Sequence, residues 1–415
     1  MNALASGFDF KEIQDKVSLH LRPWHRSFQF WVRAADIYTG YKVFQLRVSF
    51  VKDPQKQQAM WDKQHELAAD KIYAMCYDLG GFFLKVHRAR LRGDKNDVVV
   101  KVQHPGIQDL MMTDIRNLQA FALYIQKTDI KFDLFSVTKE MEKQIGYEFD
   151  FLREVNAMER IRRFLYENNK KTPVLVPRVL QGLATRRVLV MDYIDGVPIL
   201  TLGDEMAKRG INPGGKMATS AKQNILKSLT LAYGQMILKT GFFHADPHPG
   251  NILICKGSEV ALLDYGQVKD LPDQLRLGFA DLVLAMADSN PVKATESYRE
   301  LGIDTVSNCK NEQQEMLRLA QTMFDTKLPP GVVMLQPFSE DASIKKIGVQ
   351  SFPEELFSVL RTVHLLRGLS VGLGINYSCA EQWRPIAEEA LYNAGRLKGA
   401  NRTKVSNLGR FFRRY

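Results

Sequence analysis

The sequence predicts an α+β fold in which long helices outnumber short strands. Two pairs of short apolar segments, each joined by a polar turn, have the pattern of hairpins: residues 88–91 with 98–102, and 252–254 with 260–263. Segments such as residues 217–239 instead repeat their apolar positions at the spacing of an amphipathic helix. With 415 residues, the chain is long enough for roughly two or three hydrophobic cores.

Composition indicates a globular protein, because 45% of the residues are hydrophobic and 25% are charged. The four cysteines are scattered without a Cys-x-x-Cys pair, which argues against a disulfide framework and against a zinc site. No apolar run approaches the length that spans a bilayer. Basic residues are spread over the predicted helices without a reading motif, so we expect no nucleic-acid partner.

The two ends of the chain carry much of the net charge of +11. Residues 1–85 read as a helical N-terminal extension, for which a packed helix pair is favoured over one that rests on an anionic membrane surface. Residues 396–415 contain seven basic residues and no acidic one. Such a tail is usually a solvated end, and contact with anionic lipid is the weaker alternative.

Residues 86–192 begin with the first hairpin and continue as helices, near 106–127 and from about 133 to 166, with a break expected near Gly146. Lys101 lies inside a β-branched run, where a charge is costly without a partner. It is either an edge-strand lysine that points to water or one end of an internal ion pair. Among the acids of the second helix, Glu154 is the preferred partner; a solvated acid facing nearby arginines is the alternative.

Short buried strands are predicted at 174–177 and 188–191, ahead of the long helix at 217–239. The remainder is predicted to be helical near 273–288, 291–301, 311–325, 353–372 and 381–395.

The most informative stretch runs from His244 to Asn251 and reads H-A-D-P-H-P-G-N, followed thirteen residues later by Asp264-Tyr265-Gly266. Asp246 and Asn251 have the spacing of the H-R-D-L-x-x-x-N catalytic loop of protein kinases, and Asp264 stands where D-F-G would begin. Carboxylate and amide oxygens suit Mg²⁺ on ATP phosphates, so Asn251 and Asp264 are the candidate metal ligands. Asp246 is the candidate catalytic residue, which orients or deprotonates the accepting hydroxyl or water.

The two histidines of this stretch are expected to brace the loop by hydrogen bonds rather than to titrate in catalysis. A zinc site is disfavoured, because Pro247 and Pro249 prevent His244 and His248 from sharing one helical face. A serine nucleophile is disfavoured by the lack of a Gly-x-Ser-x-Gly motif.

Taken together, these motifs resemble the UbiB (aarF/ADCK) family of atypical kinases, and the plant-type members most. The resemblance covers roughly residues 78–390 and also includes V-K-V-Q-H-P-G at 100–106 and Glu148-Phe149-Asp150. It implies a protein-kinase-like two-lobe fold, binding of Mg²⁺ with ATP or ADP, and slow ATPase-type activity. It assigns Lys101, held by Glu154, to the phosphates. It also implies lipid or quinone intermediates as partners and a mitochondrial or plastid location.

On this basis we expect four parts: an extension at 1–85, a partial N-lobe at 86–192, a C-lobe with its helical extension at 193–395, and the tail at 396–415. The chain departs from the family where residues 79–86 begin a K-x-G-Q signature and then pass directly to residues 87–91. The Gly-Gln pair, the intervening helices and the alanine-rich nucleotide loop are missing. We therefore expect a shortened form with a truncated N-lobe, in which Gly80 and Gly81 are a weak substitute loop.

Two functions follow. The intact motif residues favour a nucleotide-dependent kinase or ATPase. The missing loop favours a catalytically impaired nucleotide-binding scaffold, because water entering the site weakens electrostatic preorganisation.

Overall fold

The computed structural model describes residues 10–79, 84–129, 134–307, 310–331 and 347–397. Predictions for Gly80, Gly81 and the tail beyond residue 397 lie outside these residues. The helices are α1 (Phe10–Ser49), α2 (Pro54–Leu79), α3 (Ile107–Thr128), α4 (Leu134–Glu148), α5 (Phe151–Glu167), α6 (Leu202–Lys208), α7 (Lys216–Gly234), α8 (Asp273–Ala287), α9 (Pro291–Glu300), α10 (Glu312–Phe324), α11 (Glu354–Gly372) and α12 (Cys379–Asn393). The strands are β1 (Leu84–Arg90), β2 (Asp97–Gln103), β3 (Val188–Asp192), β4 (Val197–Pro198), β5 (Phe242–His244), β6 (Ile252–Ile254), β7 (Val260–Leu262), β8 (Val268–Asp270), β9 (Asp304–Ser307) and β10 (Ile347–Ser351).

The chain divides into two compact units, each made of several segments. The first comprises Met1–Ala89, Val99–Phe151 and Leu183–Val190, and the second Arg90–Val98, Leu152–Gly182 and Met191–Tyr415. The fourfold division expected from the sequence stays a prediction.

The first unit joins the helices α1 to α4 to a small sheet in the order β1-β2-β3. Helix α1 packs on α2 and α3, where Phe30 and Trp31 meet the ring of Phe121 edge-on. Arg26 forms an ion pair with Asp114 across the same contact. The predicted helical character of the N-terminal region is confirmed over the described residues. None of the described helices is long and apolar enough to cross a membrane.

The predicted break near Gly146 is confirmed, because α4 ends at Glu148, two residues beyond this glycine, and α5 begins at Phe151. Helix α4 ends at Glu148 because the backbone groups of Phe149 and Phe151 form hydrogen bonds with distant residues. The side chain of Gln103 donates a hydrogen bond to the Phe149 carbonyl at 2.9 Å, and the Phe151 amide donates to the Arg186 carbonyl at 3.3 Å. Long-range hydrogen bonds thus set the exact position of the break, just beyond the helix-weakening glycine.

In the second unit, α12 packs against α8 and α7. The buried indole of Trp383 donates a hydrogen bond to the Thr230 carbonyl at 2.7 Å. The last turn of α7 widens into a π-helical segment, Gln235–Thr240, that leads into β5. The strand predicted at 174–177 is reduced to a single parallel bridge between Leu175 and Ala261. Pro177 has no amide hydrogen, so it cannot extend this ladder.

Gly234 sets how closely α7 and α12 approach. A Cβ added there would lie 2.4 Å from Cδ1 of Trp383 and 2.9 Å from Cδ1 of Ile386. At Gly368, inside α11, an added Cβ would meet no described atom within 4 Å.

We therefore expect Gly234→Ala to lower the free energy of unfolding by about 1–3 kcal/mol through overpacking. The matched variant Gly368→Ala should raise it by ~0.5–1 kcal/mol, because alanine is the better helix former. Urea unfolding of both variants provides the measurement. A stable Gly234→Ala protein would contradict the close packing of α7 on α12.

Candidate active site

Two antiparallel strand pairs, one nested inside the other, place the H-A-D-P-H-P-G-N and D-Y-G segments side by side. The outer pair joins β5 to β8 and sets His244 opposite Val268. The inner pair joins β6 to β7 and sets Ile252 opposite Leu262, which confirms the predicted hairpin. Residues 245–251 and 263–267 connect the two pairs on opposite sides, so they must run next to each other. The Leu263 amide donates to the Asn251 carbonyl at 2.8 Å.

Within the first segment, hydrogen bonds fix the side chains of Asp246 and Asn251 relative to each other. The side-chain nitrogen Nδ2 of Asn251 donates to Oδ2 of Asp246 at 3.4 Å. The backbone turns tightly, since the His248 amide donates to the Asp246 carbonyl at 2.7 Å and the Asn251 amide to the His248 carbonyl at 2.9 Å. Nδ1 of His248 accepts from the Gly250 amide at 3.1 Å, which supports the expected bracing role of this ring.

His244 ties the two segments together. Its fully buried ring points Nε2 at the carbonyl oxygens of Leu263 and Asp264, at 3.2 and 2.8 Å. Nε2 must therefore carry the proton, and Nδ1 accepts from the Tyr233 hydroxyl at 3.0 Å and the Asp246 amide at 3.3 Å. Burial lowers the pKa of His244, which favours this neutral form. These bonds confirm the expected bracing role.

Asp264 has a backbone that most side chains avoid. Its φ is +56°, in the left-handed region that costs a residue with a Cβ about 1–2 kcal/mol. The Gly266 amide donates to Oδ1 of Asp264 at 3.3 Å, and the Tyr265 amide donates to Oε1 of Glu154 at 3.3 Å. Glu154, on α5, is almost fully buried. The structure thus brings Asp246, Asn251, Asp264 and Glu154 together in the second unit.

Lys101 belongs to the first unit and lies on β2, the central strand of its sheet. Only 5% of the residue is exposed, and its Nζ is 5.3 Å from the centre of the Phe151 ring. The alternative of an edge-strand lysine that points to water is therefore wrong. Its pairing with Glu154 stays a prediction.

The oxygen donors of Asn251 and Asp264 suit Mg²⁺ better than a metal ion that needs three or more protein ligands. Among the described residues, no group of three or more His, Cys, Asp or Glu side chains is arranged to hold a metal ion. Mg²⁺ commonly takes only one or two protein oxygens and completes its shell with water and substrate phosphates. The carboxylate of Asp264 and the amide oxygen of Asn251 supply such a pair.

Sequence reasoning missed Arg361, on α11. Its Nη2 donates to Oδ1 of Asp246 at 2.8 Å, and its Nη1 donates to Oε1 of Gln267 at 3.0 Å. Arg361 is 115 residues from Asp246 in the chain, and it belongs to no motif with a fixed spacing from the loop. Only the folded structure reveals this contact.

Comparison with known proteins decides the family. Residues 83–298, just over half of the chain, match the profile of the ABC1 atypical kinase-like domain. The chain belongs to this family. ABC1 proteins are related to UbiB and ADCK proteins, so the resemblance expected from the motifs is confirmed.

Among similar proteins is the chloroplastic Protein ACTIVITY OF BC1 COMPLEX KINASE 7 of Arabidopsis thaliana, which is 30% identical over 313 residues. This match covers 74% of the chain and 43% of the relative. AarF domain-containing protein kinase 1 of Gallus gallus is 31% identical over 227 residues, which cover 52% of the chain and 40% of the relative. The chain thus spans about two fifths of the length of these two relatives.

A solved structure of Rv3197 with erythromycin, from Mycobacterium tuberculosis, has a TM-score of 0.54 and 18% sequence identity. The match covers 73% of this chain and 74% of that one. The ABC1 chain therefore has a kinase-like α+β fold, as the sequence predicted.

Two buried tyrosines of the site allow a matched test. The Tyr233 hydroxyl bonds to His244, whereas the Tyr265 hydroxyl has no hydrogen-bond partner among the described residues. We expect Tyr233→Phe to lower the free energy of unfolding by about 1 kcal/mol. Tyr265→Phe should leave it unchanged or raise it, because an unsatisfied buried hydroxyl is removed. Thermal unfolding measures both, and equal losses would contradict the assigned partners.

Proposed function

We propose that this ABC1 chain binds Mg²⁺ together with ATP or ADP and catalyses phosphoryl transfer, either to an acceptor hydroxyl or to water. The observation that carries the proposal is the clustering of Asp246, Asn251 and Asp264, held by hydrogen bonds of the loop and of His244. In phosphoryl transfer the protein mainly supplies positioning and charge stabilisation. A braced group of hard oxygen donors beside a carboxylate is suited to that task.

The roles divide between the two aspartates. Asp246 would accept the proton of the acceptor hydroxyl or water. At the same time the acceptor oxygen would bond to the terminal phosphorus, and the bond between that phosphorus and the ADP oxygen would break. Asp264 and Asn251 would hold Mg²⁺, which neutralises charge on the phosphates when bound. Lys101 and Glu154 are assigned to the phosphates by the family's motifs.

The cellular setting is proposed from the relatives. The kinase-like family is consistent with quinone or lipid metabolism, and relatives from Arabidopsis thaliana are named as chloroplastic. We place this chain in a plastid ahead of a mitochondrion, acting on lipid or quinone intermediates.

One surface of α1 supports contact with an anionic membrane. Leu21, Phe28, Val32 and Leu46 are exposed at spacings that put them on one side of this helix. A helix with an exposed apolar side, in a chain of net charge +11, suits an anionic lipid surface.

The alternative function is a catalytically impaired nucleotide-binding scaffold. The missing alanine-rich loop favours it, because that loop would otherwise exclude water from the phosphates. Both functions require nucleotide binding, and only the first requires turnover.

We expect Asp264→Asn to weaken Mg²⁺–ATP binding about tenfold or more, because a charged ligand to the metal is lost. Asparagine tolerates the left-handed backbone, so the substitution tests the charge. Asp246→Asn should leave binding within about twofold and lower turnover about 100-fold or more. Calorimetry and phosphate release measure the two effects.

Asp270→Asn is the matched control, because Asp270 is an exposed acid on β8 that pairs with Arg160. It should change neither quantity. Unaltered binding in Asp264→Asn would contradict the assigned metal role, and binding without turnover in the unsubstituted chain would favour the scaffold.

Removal of Mg²⁺ is a separate test. With excess EDTA, ATP affinity should fall about tenfold or more, because phosphate charge is then unneutralised near Asp246 and Asp264. Re-addition of Mg²⁺ should restore it. Affinity that is independent of Mg²⁺ would contradict a metal-bridged nucleotide.

A further inference from the structure

Arg361 joins both functional segments, residues 244–251 and 264–267, by side-chain contacts from outside them. Its guanidinium bonds to Asp246 in the first segment and to Gln267 at the end of the second. The Ala245 amide also donates to the Gln267 carbonyl at 2.9 Å, so the two segments that carry these partners are bonded to each other. These contacts therefore hold the guanidinium of Arg361 in a defined position beside the carboxylate of Asp246.

The helix that carries Arg361 is firmly anchored. Six residues further along α11, the buried guanidinium of Arg367 donates to the carbonyl oxygens of Thr322 and Asp325, at 2.6 and 3.1 Å. Arg361 lies on a different side of α11 from Arg367, because a step of six residues turns a helix by about 240°. The anchor fixes the backbone, while the side chain of Arg361 stays 55% exposed.

Charge explains what such an arginine can do. Residues 244–251 and 264–267 contain no lysine or arginine, and they bring together the carboxylates of Asp246 and Asp264. An incoming triphosphate adds further negative charge to this acidic site. Arg361 places a cation 2.8 Å from the carboxylate that would receive the acceptor's proton. A planar guanidinium has five N–H groups, of which the two described bonds require two.

We propose that Arg361 binds the terminal phosphate of a nucleoside triphosphate and thereby makes the site prefer triphosphate to diphosphate. This inference rests on the proposed nucleotide binding. The half-exposed fork can engage phosphate oxygens while Gln267 and Asp246 hold its other edge. Arg361 is then a specificity-determining residue that also stabilises charge on the transferred group.

The test compares two ligands on the full chain. Calorimetry with Mg²⁺ and a non-hydrolysable ATP analogue, and separately with ADP, gives both dissociation constants. We expect Arg361→Gln to weaken binding of the triphosphate analogue about tenfold or more and that of ADP no more than about twofold. Arg361→Lys should give a smaller loss of triphosphate affinity, because the charge remains but the fork is lost.

Arg384→Gln is the matched control. Arg384 is a partly exposed arginine on α12 that also pairs with an aspartate, Asp288, and belongs to neither functional segment. It should leave both dissociation constants unchanged, and thermal melting checks that each variant is folded. Should Arg361→Gln fail to fold, Arg361→Lys carries the comparison.

The outcomes separate the inference from the proposed function. If the unsubstituted chain binds both nucleotides and the Arg361 variants lose affinity for both equally, or for neither, the role of Arg361 is overturned. If the unsubstituted chain binds neither nucleotide, the proposed function fails first and the role of Arg361 falls with it.

Discussion

The geometry of the site depends on one buried, neutral imidazole. His244 donates from Nε2 to the backbone of Leu263 and Asp264 and accepts at Nδ1 from Tyr233 and the Asp246 amide. A protonated ring would lose the acceptor at Nδ1, and burial disfavours that form. The uncharged state therefore follows from burial and bonding together. Through it, the backbone conformations of Asp246 and Asp264 are coupled.

Around this brace, the site combines strain with preorganisation. Asp264 is held in a left-handed conformation by backbone contacts on both sides, including the bond from Tyr265 to the buried Glu154. Such conformations persist only where the surrounding structure determines them. Asp246 has both carboxylate oxygens engaged, by Asn251 and by Arg361. Side chains held in this way need little reorganisation when charge develops in a reaction.

Sequence reasoning succeeded where signals are local. The hairpin of β6 and β7 and the long helix that ends in a π-helical segment followed from the spacing of apolar residues. The nested strand pairs follow once that hairpin is recognised. Long-range partners left no such signal: Gln103 ends α4 from a distant strand, and Arg361 reaches Asp246 from another helix. Ruling out an edge-strand position for Lys101 requires knowing that β2 is the central strand of its sheet. That in turn depends on where β3 pairs.

The nesting of the strand pairs separates the part of the chain that can vary in length from the part that cannot. Residues 255–259 form the tip of the inner hairpin, at the opposite end of β6 and β7 from Asn251 and Leu263. An insertion at this tip would leave the register of both strand pairs intact, because the tip lies outside the paired residues of β6 and β7. An insertion in either connecting segment would instead shift one aspartate relative to the other. Evolution and protein engineering therefore have freedom at this turn that the adjoining segments lack.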